Sequence, residues 1–197
     1  MIDSVQIETI YKLAEPFWQT RSGEVHMPQA FAFAKRLLKF HPQADADIVL
    51  PAILLHDMGY ARVPEETHHQ GLADAPKGWQ PEVTRLHEIE GVKMARKMLT
   101  SLGFDALKLE QVLEIIDGHD SRKQAVSLED AIVKDADKLW RFGLEGVTIC
   151  RGWMGMSATD FLAYVEAKIP EWFLTDHGSE LARETLSQTR TTLKENA

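Results

Sequence analysis

Apolar residues recur with the period of an α-helix along almost the whole chain, and no stretch alternates apolar and polar residues as a half-buried β-strand does. The exception runs from Tyr60 to Gln80, where proline, glycine, histidine and acidic residues predict a loop of the length seen in lids and binding segments. The sequence therefore predicts an all-α fold, a compact helical bundle. The predicted helices begin at Ser4, Pro28, Asp45 or Asp47, Pro81, Asp105, Ser127, Ser157 or Thr159, and Gly178 or Ser179.

The composition predicts a cytoplasmic protein with a single domain over residues 1–197. The chain carries 22 basic and 30 acidic residues, and its net charge of −8 argues against long nucleic acid or an anionic membrane as a partner. The only cysteine, Cys150, cannot form an internal disulfide, which fits a reducing compartment. The first residues do not resemble a signal peptide, and the longest apolar stretch, Ile48 to Leu55, is too short to span a membrane.

A His-Asp dipeptide, His56 and Asp57, ends the most apolar predicted helix. An ionised carboxylate is costly beside such a segment unless a positive charge compensates it. Neighbouring residues on a helix diverge by roughly 100°, yet one metal between them can bind both side chains, and the spare oxygen of the carboxylate can reach a second metal. Taken alone, the dipeptide is a weak signal and favours a simple hydrogen-bonded pair.

Further ligand-type residues lie on or near the apolar faces of other predicted helices. His87 shares a face with Gly91 and Met94, and His119 lies at the edge of the face formed by Val112 and Ile116. Such side chains on several helices are what a metal site in the core of a bundle requires, and they favour a metal centre over isolated core histidines. The candidate ligands are His26, His56, Asp57, His87, His119, Asp135 and Asp137.

The order of these residues is specific. The chain resembles the HD-domain metal-dependent phosphohydrolase superfamily in five pieces. In order, these are His26, LLHDMG at 54–59, HEIEGVKMA from His87, EIIDGHD up to Asp120, and VKDADKLW up to Trp140. The resemblance covers residues 26 to about 142 and rests mainly on LLHDMG and DADKL. It implies a compact helical bundle of the HD-domain type, and a hydrolase that cleaves a small phosphate ester, either a monoester or a diester such as a nucleotide, with metal-activated water.

The resemblance also implies a set of site residues. One divalent metal, which could be Mn, Mg, Fe, Ni, Co or Zn, would be bound by His26, His56, Asp57 and Asp137. In the dinuclear branches His87 and His119 would hold a second metal, with Asp57 as the bridge. With a single metal, His87 and His119 would act as catalytic residues that hold phosphate or move protons.

Two departures from the family pattern limit what is transferred. Tyr60 stands three residues after the aspartate of the HD pair, where branches that hydrolyse the stringent-response nucleotide, and related deoxynucleotide phosphatases, have a glutamate. Helical offsets place Asp135 at the centre of an apolar stripe and Asp137 at its edge. The family alignment selects Asp137 as the last metal ligand. We prefer Asp137 too, because a ligand must face a cleft. The alternatives to a phosphohydrolase are an HD-type di-iron oxygenase and a non-catalytic metal-binding sensor module.

Other residues carry weaker predictions. Glu88 and Glu114 are interpreted as exposed helix charges, and Asp120 as a residue that orients His119 or caps the next segment. Cys150 has no predicted catalytic role. Basic residues that could contact phosphate, or be solvated surface charges, are Arg62, Arg122, Lys123, Lys138 and Arg141. Tryptophans that could line a pocket, or pack in the core, are Trp79, Trp140, Trp153 and Trp172.

Overall fold

The computed structural model describes residues 4–71 and 80–195, with only the backbone of residues 69–71. Within these ranges all regular secondary structure is helical, so the predicted all-α fold is confirmed. The α-helices are α1 (Ser4–Ala14), α2 (Gly23–Phe40), α3 (Ala46–Leu55), α4 (Pro81–Ser101), α5 (Ala106–Ile116), α6 (Leu128–Leu139), α7 (Leu144–Met154), α8 (Ala158–Trp172) and α9 (Asp176–Glu195). Short 3₁₀ helices span Glu15–Phe17, Met58–Arg62, Glu65–Gly71 and Trp140–Phe142.

Several predicted helix starts coincide with observed N-caps. The side chains of Asp45, Asp105, Ser127 and Ser157 each accept a hydrogen bond from a backbone N–H two or three residues later. These side chains satisfy donors that the first helical turn would otherwise leave without a partner. Local sequence chemistry therefore sets the starts of α3, α5, α6 and α8.

Other predicted boundaries were wrong. α2 begins at Gly23 rather than near Pro28, because Arg21 and Ser22 adopt left-handed conformations that turn the chain into the helix earlier. α9 begins at Asp176, two residues before Gly178. The segment from Tyr60 to Gln80, predicted as a loop of the length seen in lids, contains the end of one 3₁₀ helix and all of Glu65–Gly71, and its residues 72–79 lie outside the described residues.

The core is organised around α3, whose residues Ile53 to Leu55 are completely buried. α3 packs against α1, α2, α5 and α6, while α4 packs against α5 and against the 3₁₀ turns after α3. One cluster of buried apolar side chains extends from Ile10 in α1 to Leu186 in α9. The polar end of α3 therefore points into the middle of the bundle and not into solvent.

α7, α8 and α9 pack together and against α6 and the 3₁₀ turn Trp140–Phe142. Helix α7 was not predicted, because Gly146, Thr148 and Gly152 lower its intrinsic helix propensity; it is formed where Val147 and Cys150 can be buried. Its last turn ends at Gly155, whose left-handed φ of 64° is readily adopted by glycine. Across the described ranges, helices with the length and apolarity needed to cross a membrane do not occur.

Candidate metal centre

The end of α3 directs the His-Asp pair into the bundle. His56 is completely buried, and its Nδ1 lies 2.8 Å from the carbonyl oxygen of Ile53, to which it can donate. That hydrogen bond places a proton on Nδ1 and leaves the lone pair of Nε2 for a ligand. Gly59 allows the turn to touch α4, because a Cβ there would overlap the carbonyl group of His87.

Asp57 lies between two groups of histidines. Its Oδ2 is 3.5 Å from Nδ1 of His26 and 3.6 Å from Nε2 of His56. Its Oδ1 is 3.3 Å from Nε2 of His119 and 3.7 Å from Nε2 of His87. One carboxylate thus faces a different pair of imidazoles with each oxygen, which is the arrangement that a bridging ligand requires.

The first group is completed by Asp137. Its Oδ1 is 3.0 Å from Nε2 of His26 and 3.4 Å from Nε2 of His56. Both Nε2 atoms are buried and neither has a well-formed hydrogen bond. Buried nitrogens that face carboxylate oxygens in this way have the donor set that a divalent ion uses. The ring of His26 stacks on Trp140, with centroids 4.7 Å apart, and this contact fixes its orientation.

The structure separates the two aspartates of α6. Asp137 faces the histidines, whereas Asp135 points away and accepts hydrogen bonds from the backbone N–H groups of Leu174 and Thr175 at 2.8 and 3.0 Å. Asp135 also accepts from the hydroxyl of Thr175 at 2.6 Å. It therefore fastens the junction between α8 and α9 to α6, and has none of the contacts expected of a partner to the centre.

The second group consists of Asp57, His87, His119 and Asp120. The Nε2 atoms of His87 and His119 are 3.2 Å apart, and Oδ2 of Asp120 lies 3.7 and 3.9 Å from them. The Nδ1 of His119 is 2.9 Å from the carbonyl oxygen of Ile116, which repeats the arrangement seen at His56. The sequence predicted only an orienting or capping role for Asp120. Its position directly after His119, which makes a second His-Asp pair, is the sequence signal for a role as a ligand.

The charges within the cluster balance one another. Burial alone would raise the pKa of Asp57, yet the neighbouring His56 and the hydrogen bond from His119 hold it well below its usual value. Burial lowers the pKa of His119, but Asp57 and Asp120 outweigh it and raise that pKa to about 9. Burial and the adjacent His119 lower the pKa of His87 to about 4. The carboxylates thus stabilise a positive charge inside the cluster. A proton on His119 supplies this charge, and a bound divalent cation would supply it instead.

Tyr60 forms part of a stack beside the second group. Its ring lies parallel to His87 with centroids 4.0 Å apart, and the guanidinium of Arg21 lies 4.1 Å from the ring on which it stacks. Arg21 reaches this position from a left-handed backbone with φ of 51°, a conformation that costs an ordinary residue about 1 kcal/mol or more. Tyr60, which stands where only certain branches of the superfamily have a glutamate, therefore orients a histidine ring. Arg21 carried no signal in the sequence.

Glu88 is completely buried, so its prediction as an exposed helix charge was wrong. Its carboxylate accepts hydrogen bonds from the backbone of Asp120 at 3.0 Å and from the backbone and hydroxyl of Ser121 at 2.8 Å, and it pairs with Arg85. These bonds hold the turn that carries the second group. Glu114, in contrast, is exposed as predicted.

Lys134 supports the same turn from α6. Although its side chain is almost fully buried, its Nζ donates to the carbonyl oxygens of Gly118, His119 and Arg122 at 2.5, 2.8 and 2.8 Å. Burial lowers the pKa of this amine to about 8. The ammonium group thus replaces the water that these carbonyls would otherwise bind.

Replacement of Glu88 by glutamine is expected to destabilise the protein by about 2 kcal/mol, because an amide places N–H groups against donors that need an acceptor. Urea unfolding followed by circular dichroism would measure the loss. Glu114→Gln is the matched control on α5 and should change the free energy of unfolding by less than about 0.5 kcal/mol. Equal stability of the two variants would contradict the structural role of Glu88.

A cavity of about 240 Å³ adjoins the second group, where His119 and Asp120 line it. The second group is open to this cavity at Asp120, whose side chain is 27% exposed, whereas His119 is almost completely buried. Basic residues among those predicted to contact phosphate line the cavity as well, namely Arg122, Lys123, Lys138 and Arg141. Arg62 is exposed elsewhere and does not line it.

Among the tryptophans, Trp153 and Trp172 line this cavity and Trp140 is buried in the core, while Trp79 lies outside the described residues. Cys150 is buried at the cavity wall, and burial raises the pKa of its thiol to about 11, consistent with the absence of a predicted catalytic role.

Fold and cluster together define a class: an all-α protein with a histidine and aspartate centre of the kind that holds divalent ions. Residues 24–141 match the family model of the HD domain, and the chain therefore belongs to the HD domain family. The resemblance inferred from the motifs is confirmed. This family consists generally of metal-dependent phosphohydrolases. No curated protein and no solved structure matches the chain.

Proposed function

We propose that the protein is a metal-dependent phosphohydrolase that cleaves a small phosphate ester. The proposal depends above all on Asp57, whose two carboxylate oxygens lie 3.3–3.7 Å from two separate pairs of histidines. The adjoining cavity, which basic side chains line, gives a phosphate ester access to His119 and Asp120 of the second group. A cavity of about 240 Å³ suits a small ester and not a long nucleic acid.

The donor set suits two divalent ions. Nitrogen-rich groups with carboxylates favour Mn, Fe, Co, Ni or Zn over Mg. Ions held there would polarise a phosphoryl oxygen and lower the pKa of a water molecule towards neutrality. The first ion would be held by His26, His56, Asp57 and Asp137, and the second by Asp57, His87, His119 and Asp120.

Basic side chains at the cavity would bind the phosphate. Arg141 donates to the backbone carbonyl of Asp137 at 3.1 Å and lies 3.6 Å from its carboxylate, so its guanidinium is held between the first group and the cavity. Lys138 lies one helical turn beyond the buried Lys134 on the same face of α6 and lines the cavity. The positive charges of Arg141 and Lys138 would neutralise phosphate oxygens and orient the ester towards the centre.

His87 and His119 would act on protons if only the first ion binds. Their Nε2 atoms are 3.2 Å apart, and His119 has the raised pKa while His87 has the lowered one. Such a pair holds one proton at His119, next to the cavity, from which it can pass to the oxygen of a leaving group.

Elemental analysis of the purified protein tests the number of ions. We expect about two divalent metals per chain, and about one in His87→Ala, because that variant removes a ligand of the second group only. A screen of phosphomonoesters and phosphodiesters with each divalent metal should detect hydrolysis by the parent protein. His177→Ala is the matched control, since this histidine contacts Phe40 and His41 and belongs to neither group.

Two results would contradict the proposal. Iron accompanied by oxygen consumption and no ester cleavage would establish a di-iron oxygenase. A metal-loaded protein inactive on every ester and towards oxygen, in which loss of the metal unfolds the chain, would indicate a sensor module with a structural metal.

A further inference from the structure

The lining of the cavity beside the second group combines polar and aromatic side chains. The polar ones include His119, Asp120 and basic residues of α6 and of the 3₁₀ turn after it. The aromatic ones, here called the aromatic wall, are Trp153, Phe161, Tyr164 and Trp172. These residues belong to α7 and α8, which lie beyond the matched residues 24–141. The helices after the HD domain thus enclose a space that opens onto its centre.

The aromatic rings are held in place but are not fully buried. Tyr164 packs edge-to-face on Trp172 with centroids 5.8 Å apart, and Trp172 packs edge-to-face on Phe142 at 6.4 Å. The side chains of Trp153, Tyr164 and Trp172 are half-buried, while Phe161 is buried. Because their mutual packing fixes the rings, they offer a preformed surface that a planar group can contact without ordering cost.

The basic residues and the aromatic wall of the cavity are close together. The guanidinium carbon of Arg141 lies 6.0 Å from the ring centroid of Trp172, and Arg141 is also tied to Asp137 of the first group. A phosphate that contacts Arg141 would therefore be only a few bonds from a group that contacts Trp172. Lys123, Lys138 and Glu171 share the lining, so the space favours a ring with polar edges over a long alkyl chain.

We propose that the aromatic wall selects phosphate esters whose organic part carries one planar ring within a few bonds of the phosphate. This inference rests on the proposed phosphohydrolase function and specifies its substrate class. A cavity of about 150 Å³ is known to hold benzene, so about 240 Å³ accommodates one ring with its phosphate. The ring binds against Trp172 and the phosphate faces Arg141.

The test compares two esters of alcohols, benzyl phosphate and ethyl phosphate, which differ in the ring. For the metal-loaded parent protein we expect kcat/KM to be about tenfold or more higher for benzyl phosphate, and Trp172→Ala to remove about tenfold of that ratio. Trp172→Phe, which keeps a ring, should retain most of it. Phe40→Ala removes an exposed aromatic side chain that contacts His177, and should leave the ratio within about twofold of the parent value.

A binding measurement separates this inference from the proposed function. Tryptophan fluorescence and calorimetry would record binding of both esters to the metal-loaded protein, and Tyr164→Leu is a second variant if Trp172→Ala does not fold. Cleavage of both esters with equal kcat/KM would overturn the aromatic selection and leave the hydrolase standing. Tighter binding of benzyl phosphate without cleavage, lost in the wall variants, would support the selection and overturn the hydrolase. Neither cleavage nor ring-dependent binding would overturn both.

Discussion

Asp57→Asn is expected to remove both metals and to lower phosphate ester hydrolysis by about 10³-fold or more, with the helical fold retained. An asparagine side chain has the same shape but only one oxygen and no charge. It cannot place one anionic oxygen beside His26 and His56 and a second anionic oxygen beside His87 and His119, as a ligand shared by two ions must. Elemental analysis and the rate of the best ester found for the parent protein measure both effects.

Thermal unfolding provides a second readout for the same variant. A ligand present at about 100 times its Kd stabilises a protein by about 2.7 kcal/mol, which for a chain of this length raises Tm by roughly 5–10 °C. Divalent metal should produce this shift in the parent protein and in Asp176→Asn, an exposed aspartate in the first turn of α9. In Asp57→Asn the shift should vanish. Full activity together with a normal metal-induced shift would contradict the central role of this carboxylate.

The fold was predictable to the extent that it depends on local chemistry. The caps at Asp105 and Ser127 and the apolar period of α3 are properties of short segments, and the structure reproduces them. The start of α2 was not predictable, because it depends on the left-handed backbone at Arg21. Contacts of the Arg21 side chain with Tyr60 and Trp153, far along the chain, stabilise that conformation. Helix α7 was missed for the same reason: burial between other elements overrides its weak propensity.

The candidate site was predictable through the order of its residues, because histidines and aspartates at the polar ends of apolar helices leave a recognisable pattern. The structure brings the six predicted ligands into one cluster, in which Asp57 contacts all four histidines. Charged side chains that form hydrogen bonds with buried backbone groups leave no such pattern in the sequence. Glu88 and Lys134 look like surface charges in the sequence, and only the turn after α5, which folds back against both, explains their burial.

The two aspartates of α6 provide the sharpest contrast, and Asp135→Ala is expected to destabilise the protein without changing its metal content. The substitution leaves the N–H groups of Leu174 and Thr175 without their acceptor where α8 meets α9. The junction is tight, since a Cβ at Gly178 would overlap the carboxylate of Asp135. Hydrogen bonds to a charged group contribute about 1.5–3 kcal/mol each, and burial, which raises the pKa of Asp135, offsets part of this.

We therefore expect Asp135→Ala to lower the free energy of unfolding by about 2–4 kcal/mol, or Tm by roughly 5–15 °C. Asp137→Ala is the matched variant two residues away, and should lose the first metal and hydrolysis, which Asp135→Ala should keep. Differential scanning calorimetry of the metal-free proteins and elemental analysis of the loaded ones measure the two effects separately. Loss of metal from Asp135→Ala at unchanged stability would reverse the roles assigned to these carboxylates, because none of the three hydrogen bonds at the junction would then matter to folding.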